Sequence, residues 1–375
     1  MILSKTSLKK LFKFLYLIYY CLLFVFDFLL ILIQVSKSKK RNILLIKLDR
    51  FGDFILWNNS FNNILEYHNN DTIFLICRED IKKYLEPLYK KVIFISFNKH
   101  RFLFNPKYRY ERLIYLKKIF FYKVINFHRE RNIYFSDCIV RNLNAKNKIA
   151  SKLKEDNIQN YISNKHYDKV IETKIGSHES YYLEEFTNKI FRKHFNKKNF
   201  IKFKKNKIYS KYKNFILVSS GGTDKRRVVS LDKMLSSLKF KINQKSQIII
   251  VGNVEEMHKI NQNYQFFKNR IINLAGKTTF DDFIYLHSLA DTIISNDSAS
   301  GHLAHCFKKK SYTFVGGGHF NRFFPYPIRS NSRHKYIYDK MKCYNCNWNC
   351  IYDNLNLIKY PCIEKIENNN NLIKV

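Results

Sequence analysis

Acidic residues are scarce: 30 Asp and Glu stand against 67 Lys and Arg in 375 residues, a formal net charge of +37. That deficit favours an anionic partner, whether nucleic acid, an acidic membrane surface or a phosphorylated substrate, and by itself selects none of them. No Asp-x-Asp occurs, which counts against a sugar-nucleotide enzyme using that kind of metal site. No Gly-x-Gly-x-x-Gly follows the first strand-like run, which counts against a dinucleotide oxidoreductase. Gly276-Lys277-Thr278 looks like the end of a P-loop, but Ile271 stands where the earlier glycine is required, so that pattern fails. Eight cysteines are too few for a disulfide scaffold, and Cys21, Cys77, Cys138 and Cys306, scattered among apolar neighbours, read as reduced buried thiols. Repeats of roughly 20 to 50 residues are also missing.

What is there is ordinary globular material, 46% hydrophobic and 26% charged, long enough for two or three domains. Its first organised feature is Phe14 to Ile33, an apolar run interrupted only by Asp27. Lys9, Lys10 and Lys13 precede it, and Lys37, Lys39, Lys40 and Arg41 follow. As a helix it would reach about 30 Å, the thickness of a bilayer core. Asp27 at mid-bilayer would cost about 2.5–3.5 kcal/mol, and basic flanks at both ends suit a helix lying on anionic lipid equally well. The reading is a membrane-associated segment over 1–41, peripheral or single-pass.

From Asn42 onward, short apolar runs alternate with helical stretches. Strands are expected at Asn42 to Leu48, Thr72 to Cys77 and Val92 to Phe97, then at Phe215 to Ser219, Gln247 to Val251, Ile271 to Asn273, Thr292 to Ser295 and Ser311 to Val315. Helices are expected from about Phe54, Ser230, Val254, Thr279 and Ala299. Such alternation means βαβ units and parallel sheets. The Lys- and Asn-rich stretch from Lys197 to Lys213 marks a boundary, giving domains at 42–205 and 206–335 with a cysteine-containing segment at 336–375. Two α/β domains in series would bind ligand in a cleft beyond the carboxyl ends of their strands.

Three strand-to-helix junctions carry chemistry. In Leu48-Asp49-Arg50-Phe51-Gly52-Asp53-Phe54, Gly52 permits a tight turn. Asp53 reads either as a helix N-cap or as a general base able to take a proton from an acceptor hydroxyl. Ser219-Ser220-Gly221-Gly222-Thr223-Asp224-Lys225-Arg226-Arg227 exposes backbone N–H groups beside three consecutive cations, which suits a phosphate. Ser295-Asn296-Asp297-Ser298-Ala299-Ser300-Gly301-His302 ends a strand and opens a helix, placing free N–H groups and the helix dipole at a ligand, with His302 in the first turn. Near the C-terminus Cys343, Cys346, Cys350 and Cys362 would make a tetrahedral zinc site, although the spacing is not that of paired Cys-x2-Cys knuckles; a packed group of reduced thiols or a local disulfide is the other reading.

Taken together, Ile43 to Leu56 (ILLIKLDRFGDFIL), Asn273 to Ala304 (NLAGKTTFDDFIYLHSLADTIISNDSASGHLA) and Phe314 to Tyr326 (FVGGGHFNRFFPY) resemble glycosyltransferase family 9, the heptosyltransferase group. The resemblance implies a GT-B α/β fold with two Rossmann-like domains facing a cleft, the first taking the acceptor and the second a nucleotide-sugar. It implies inverting transfer, with no obligatory metal, to a lipopolysaccharide-type or other lipid-linked saccharide at the cytoplasmic side of the inner membrane. Carried over, Asp53 would be the base, while Ser220, Gly221, Gly222, Lys225, Asp297, Ser298, Gly301 and His302 would contact the donor. Set beside this reading are a basic nucleic-acid-binding protein and a GT-B protein that binds without turnover.

Overall fold

The structure is a computed structural model and describes residues 18, 19, 22, 23, 25, 27, 41–174, 176, 178–196, 198, 201–222, 224–238, 246–253, 270–327, 333–352 and 357–369. Most of the expected N-terminal hydrophobic helix and the expected helix from Val254 lie outside the described residues. The chain divides into two compact units. One comprises Met1–Arg50, Ile64–Thr173 and Asn188–Lys193; the other comprises Phe51–Asn63, Lys174–Thr187 and His194–Val375.

The first unit holds a six-stranded sheet of β1 (Asn42–Ile46), β2 (Thr72–Cys77), β3 (Val92–Ser96), β5 (Lys123–Asn126), β7 (Lys148–Ser151) and β8 (Lys169–Ile171). Every pairing is parallel, and the spatial order is β3-β2-β1-β5-β7-β8. Two residues each from β4 (Phe120–Phe121) and β6 (Asn144–Ala145) form a separate parallel pair. The chain starts at β1, runs outward to β3, then returns to β5 on the other side. That reversal is the doubly wound arrangement, whose switch point lies at the carboxyl ends of β1 and β5. All five residues of β1 are buried because helices cover both faces of such a sheet, which is why NILLI reads as one apolar run.

In the second unit β9 (Phe215–Ser219), β10 (Gln247–Ile250), β11 (Ile271–Asn273), β12 (Thr292–Asn296), β13 (Lys310–Phe314) and β14 (His334–Ile337) repeat the plan. Their order is β11-β10-β9-β12-β13-β14, again all parallel, with the switch point between β9 and β12. The helix Phe280–Leu289 starts where its local signal says it should. Thr279 and Asp282 form a capping box, each side chain receiving the other residue's backbone N–H.

The Asp27 carboxylate, which the sequence reading counts as costly at mid-bilayer, is fully buried in the first unit. It accepts from Arg109 Nε at 2.8 Å, from Arg109 Nη2, from Arg141 Nη2 at 2.9 Å and from the Cys138 thiol at 3.0 Å. Tyr19 on the same segment donates its hydroxyl to the Leu103 carbonyl at 2.6 Å, and Leu23 joins the core of the unit. Among the described residues, no helix is long and apolar enough to cross a membrane.

Candidate active site

The site in the second unit gathers around the carboxyl ends of β9 and β12. Asn296, the last residue of β12, is almost fully buried and works as a brace. Its Nδ2 donates to the carbonyls of Ser220 at 2.7 Å and Val229 at 3.1 Å, while its Oδ1 accepts the Val229 N–H at 2.9 Å. The loop of Ser220, Gly221 and Gly222 is therefore held from both sides by one side chain. A Cβ on Gly222 would stand 2.3 Å from Val228 Cγ1, so the second glycine is required by close approach.

The three cations after this loop do not act alike. Asp224 caps the short 3-10 turn Lys225–Arg227, accepting the Arg226 N–H at 2.9 Å and the Arg226 guanidinium at 3.0 and 3.2 Å, with Arg227 Nε at 3.4 Å. Arg226 also lies over the Tyr360 ring and Arg227 over Trp348. Arg226 and Arg227 are thus engaged by an acid and by aromatic faces, and the Lys225 side chain is exposed.

Beyond β12, Ser298 is in extended conformation ahead of the helix Ala299–Cys306, yet its side chain does not cap it. Its Oγ is buried without a hydrogen-bond partner, at the end of the helix where backbone N–H groups are uncommitted. Asp297, half-buried just before it, has its carboxyl pushed up to about 7. Burial is the main cause, the Asp53 charge adds to it, and Arg227 opposes it.

Asp53 comes to this place from another part of the chain. The helix carrying it runs Phe51–Tyr67, so Asp53 lies inside its first turn; it is neither in a preceding turn nor the N-cap. Gly52 is likewise helical. A Cβ there would meet His302 Cδ2 at 3.5 Å and the Ala299 backbone at 3.6 Å, ordinary contact distances, so Gly52 serves neither a tight turn nor an unusual φ. The helix opens beside the loop after β12, with Phe51 packed against Phe280 at 4.7 Å between ring centroids. Two carboxylates 244 positions apart in sequence thereby come within electrostatic reach.

His302 is buried behind them. Its ring stacks on Phe324 at 4.4 Å, and its Nδ1 shares a hydrogen bond with the Tyr326 hydroxyl at 3.0 Å. Burial, with His178 nearby, holds its pKa well below the ordinary value, so it is neutral at pH 7. Gly301 admits this arrangement: a Cβ would stand 2.7 Å from Phe324 Cζ and 3.3 Å from Ser295 Oγ. Gly301→Ala is therefore expected to destabilise the protein by about 1–3 kcal/mol through overpacking. Gly52→Ala is expected to be neutral or slightly stabilising, since helix propensity favours Ala by about 1 kcal/mol. Thermal unfolding of the two variants in parallel checks this contrast, and equal melting temperatures would contradict it.

Asn296, Tyr326 and Phe324 were given no role from the sequence, and Arg227 was read only as one of three cations suited to a phosphate. For Asn296 a signal existed, a polar amide closing an apolar strand; for Tyr326 and Phe324 none did, because their partners are distant in the chain.

In the first unit, the switch point of the sheet carries a second polar cluster. Lys47 Nζ stands 2.8 Å from Asp49 Oδ2 and also donates to the Phe127 carbonyl at 3.4 Å; His128 Nδ1 lies 2.7 Å from Asp49 Oδ1. Burial alone would raise Asp49, but the His128 and Lys47 charges outweigh it and hold the carboxyl well below the usual range. Burial likewise works against His128, and the Asp49 carboxylate overrides it to raise the imidazole pKa.

Cys343, Cys346, Cys350 and Cys362 line one small cavity together with Trp348 and Tyr360, and all four are unpaired thiols. Among the described residues, no group of three or more His, Cys, Asp or Glu stands in ligating positions. The segment is seated by packing: Trp348 covers Gly316 and Gly318, where a Cβ would come within 2.7 and 2.2 Å of its ring.

Two doubly wound parallel sheets, each with polar groups at its switch point, define an α/β protein of the GT-B type seen in solved heptosyltransferases. E. coli heptosyltransferase WaaC with ADP superposes with a TM-score of 0.59 at 11% identity, over 79% of this chain and 92% of that one. The family 9 glycosyl transferase of Veillonella parvula gives 0.62 at 12% identity over 89% and 97%. E. coli ADP-heptose LPS heptosyltransferase II gives 0.55 at 14% identity over 80% and 91%. A further WaaC structure holds ADP-2-deoxy-2-fluoro heptose. None of the curated proteins matches the sequence. The model of glycosyltransferase family 9 (heptosyltransferase) matches residues 234–348, so that stretch of the second unit is similar to this family.

Proposed function

We propose that this protein is an inverting glycosyltransferase that moves a sugar from a nucleotide-diphosphate donor to a lipid-linked or lipopolysaccharide-type saccharide. The observation that carries the reading is the pair Asp53 and Asp297, in which burial, with the Asp53 charge adding to it, pushes the Asp297 carboxyl up to about 7. Paired carboxyls whose environments push them apart take different roles. Asp53, in the first turn of its helix, is assigned the role of base. Asp297 is largely protonated below neutrality and then has an O–H to donate toward a donor phosphate.

In this reaction Asp53 takes the proton of the acceptor hydroxyl as that oxygen attacks the anomeric carbon. The bond from that carbon to the diphosphate oxygen breaks, and its electron pair leaves with the nucleotide diphosphate. Negative charge growing on the leaving group meets the N–H groups opening the helix Ala299–Cys306, the Ser298 hydroxyl, the Gly221-Gly222 backbone and Lys225. In this proposal the chain's own groups carry that charge, without a required metal. The acceptor is received at the switch point of the first sheet, where Lys47, Asp49 and His128 stand.

Thermal stabilisation by a panel of nucleoside diphosphates and nucleotide-sugars tests the reading. At a hundredfold excess over Kd a true donor adds about 2.7 kcal/mol of stability. One nucleotide class is expected to stabilise the wild type, and Asp297→Ala is expected to lose most of that shift. No shift with any of them, beside a large salt-sensitive shift with DNA or RNA, would replace the transferase by a nucleic-acid-binding protein.

A further inference from the structure

The described N-terminal residues have two faces. Tyr19, Leu23 and Asp27, at four-residue spacing, point into the first unit: Tyr19 bonds the Leu103 carbonyl, Leu23 enters the core, and Asp27 is locked by Arg109 and Arg141. Ile18, Leu22 and Val25, at helical spacing on the other side, are 42%, 63% and 59% exposed. Three large aliphatic side chains side by side in water need a partner.

Charge says which one. The two helices to which this segment is fastened, Lys99–Phe104 and Pro106–Lys117, lie in a stretch whose exposed or half-buried charges are Lys99, Arg101, Lys107, Arg112 and Lys118 against the single acid Glu111. Tyr19 also stacks on Phe104, itself 46% exposed, which extends the apolar surface onto that basic hairpin. In sequence, Lys9, Lys10, Lys13, Lys37, Lys39, Lys40 and Arg41 flank the segment on both sides. Exposed aliphatics flanked in sequence by cations and fastened to a basic pair of helices fit the boundary between headgroups and acyl chains of an anionic leaflet. A spanning helix would have to strip Asp27 from two buried guanidinium groups and carry it into hydrocarbon, losing the pair and adding the cost of a charge at depth.

We propose that the N-terminal segment is an in-plane membrane-docking element of the first unit, clamped to the protein through Asp27 and presenting Ile18, Leu22 and Val25 to an anionic bilayer surface. Docking of this kind holds the unit on the membrane while leaving the segment a part of the folded protein. It needs neither donor nor acceptor, so it stands or falls apart from the transferase reading.

The test uses the full chain, purified in mild detergent and diluted onto sucrose-loaded vesicles of phosphatidylcholine alone or mixed with phosphatidylglycerol. Wild-type protein is expected to sediment with the anionic vesicles, to bind the neutral ones at least about tenfold more weakly, and to be released by alkaline carbonate. The triple variant Ile18→Ser, Leu22→Ser, Val25→Ser is expected to lose about tenfold or more in binding to anionic vesicles. Because these positions are exposed, its unfolding temperature should stay that of the wild type. Protein that remains in the supernatant with anionic vesicles, a triple variant that binds like the wild type, or resistance to carbonate would each overturn the proposal, the last in favour of a spanning helix.

Discussion

Asp53→Asn is expected to lower kcat by about 10²- to 10⁴-fold with little change in donor affinity, because the amide keeps the shape of the side chain and loses only the ability to take a proton. The same substitution removes the charge that helps push the Asp297 carboxyl up to about 7, so Asp297 should titrate lower in the variant. The linkage has a definite sign. Asp297 is raised in the folded protein above its unfolded value of 3.8, so the folded state binds more protons between those pH values. Stability therefore falls as pH rises through that window, and the slope should be shallower in Asp53→Asn. Nucleotide diphosphate release, donor calorimetry and thermal melts from acid to mildly alkaline pH read the three effects separately. Unchanged turnover would take Asp53 out of the chemistry; lost donor binding would make it a binding residue; an unchanged pH slope would separate the two carboxylates.

Asp27→Asn is expected to be the most destabilising conservative change in the first unit. It leaves Arg109 and Arg141 facing one another in a buried setting with no anion between them, and breaking a buried pair by removing one partner costs about 3–5 kcal/mol. At about 2–4 °C per kcal/mol for a domain of this size, the unfolding temperature should drop by roughly 6–20 °C. Calorimetric or circular-dichroism melts measure it directly. A melting temperature equal to that of the wild type would mean that the segment contributes nothing to the stability of the unit, and the clamp would be removed from the account.

The frame of the protein was legible from local patterns because a parallel sheet buried on both faces demands continuous apolar runs. TIFLIC and FILVS coincide with β2 and β9, and the starts of the helices at Phe280 and Ala299 lie within a residue of where Thr279 and the small polar run point. Less legible were β5, β7, β8 and β14. They are three or four residues long and begin with or include lysine, so each is a strand only because a longer neighbour pairs with it.

At the candidate site the division follows the same physical line. Sequence by itself determined the βαβ alternation, the glycine-rich loop after β9, the polar opening of the helix after β12 and the excess of cations, since propensity, turn chemistry and charge act over a few residues. Tertiary structure alone decided that Asp53 stands inside a first helical turn beside Asp297, that Asn296 braces the glycine loop, that Arg226 and Arg227 are engaged with Asp224 and aromatic rings, and that Asp27 serves as the anion of a buried arginine pair. Each of those outcomes joins groups brought together by sheet order and helix packing. Such contacts depend on which strand returns beside which, and no run of neighbouring residues records that.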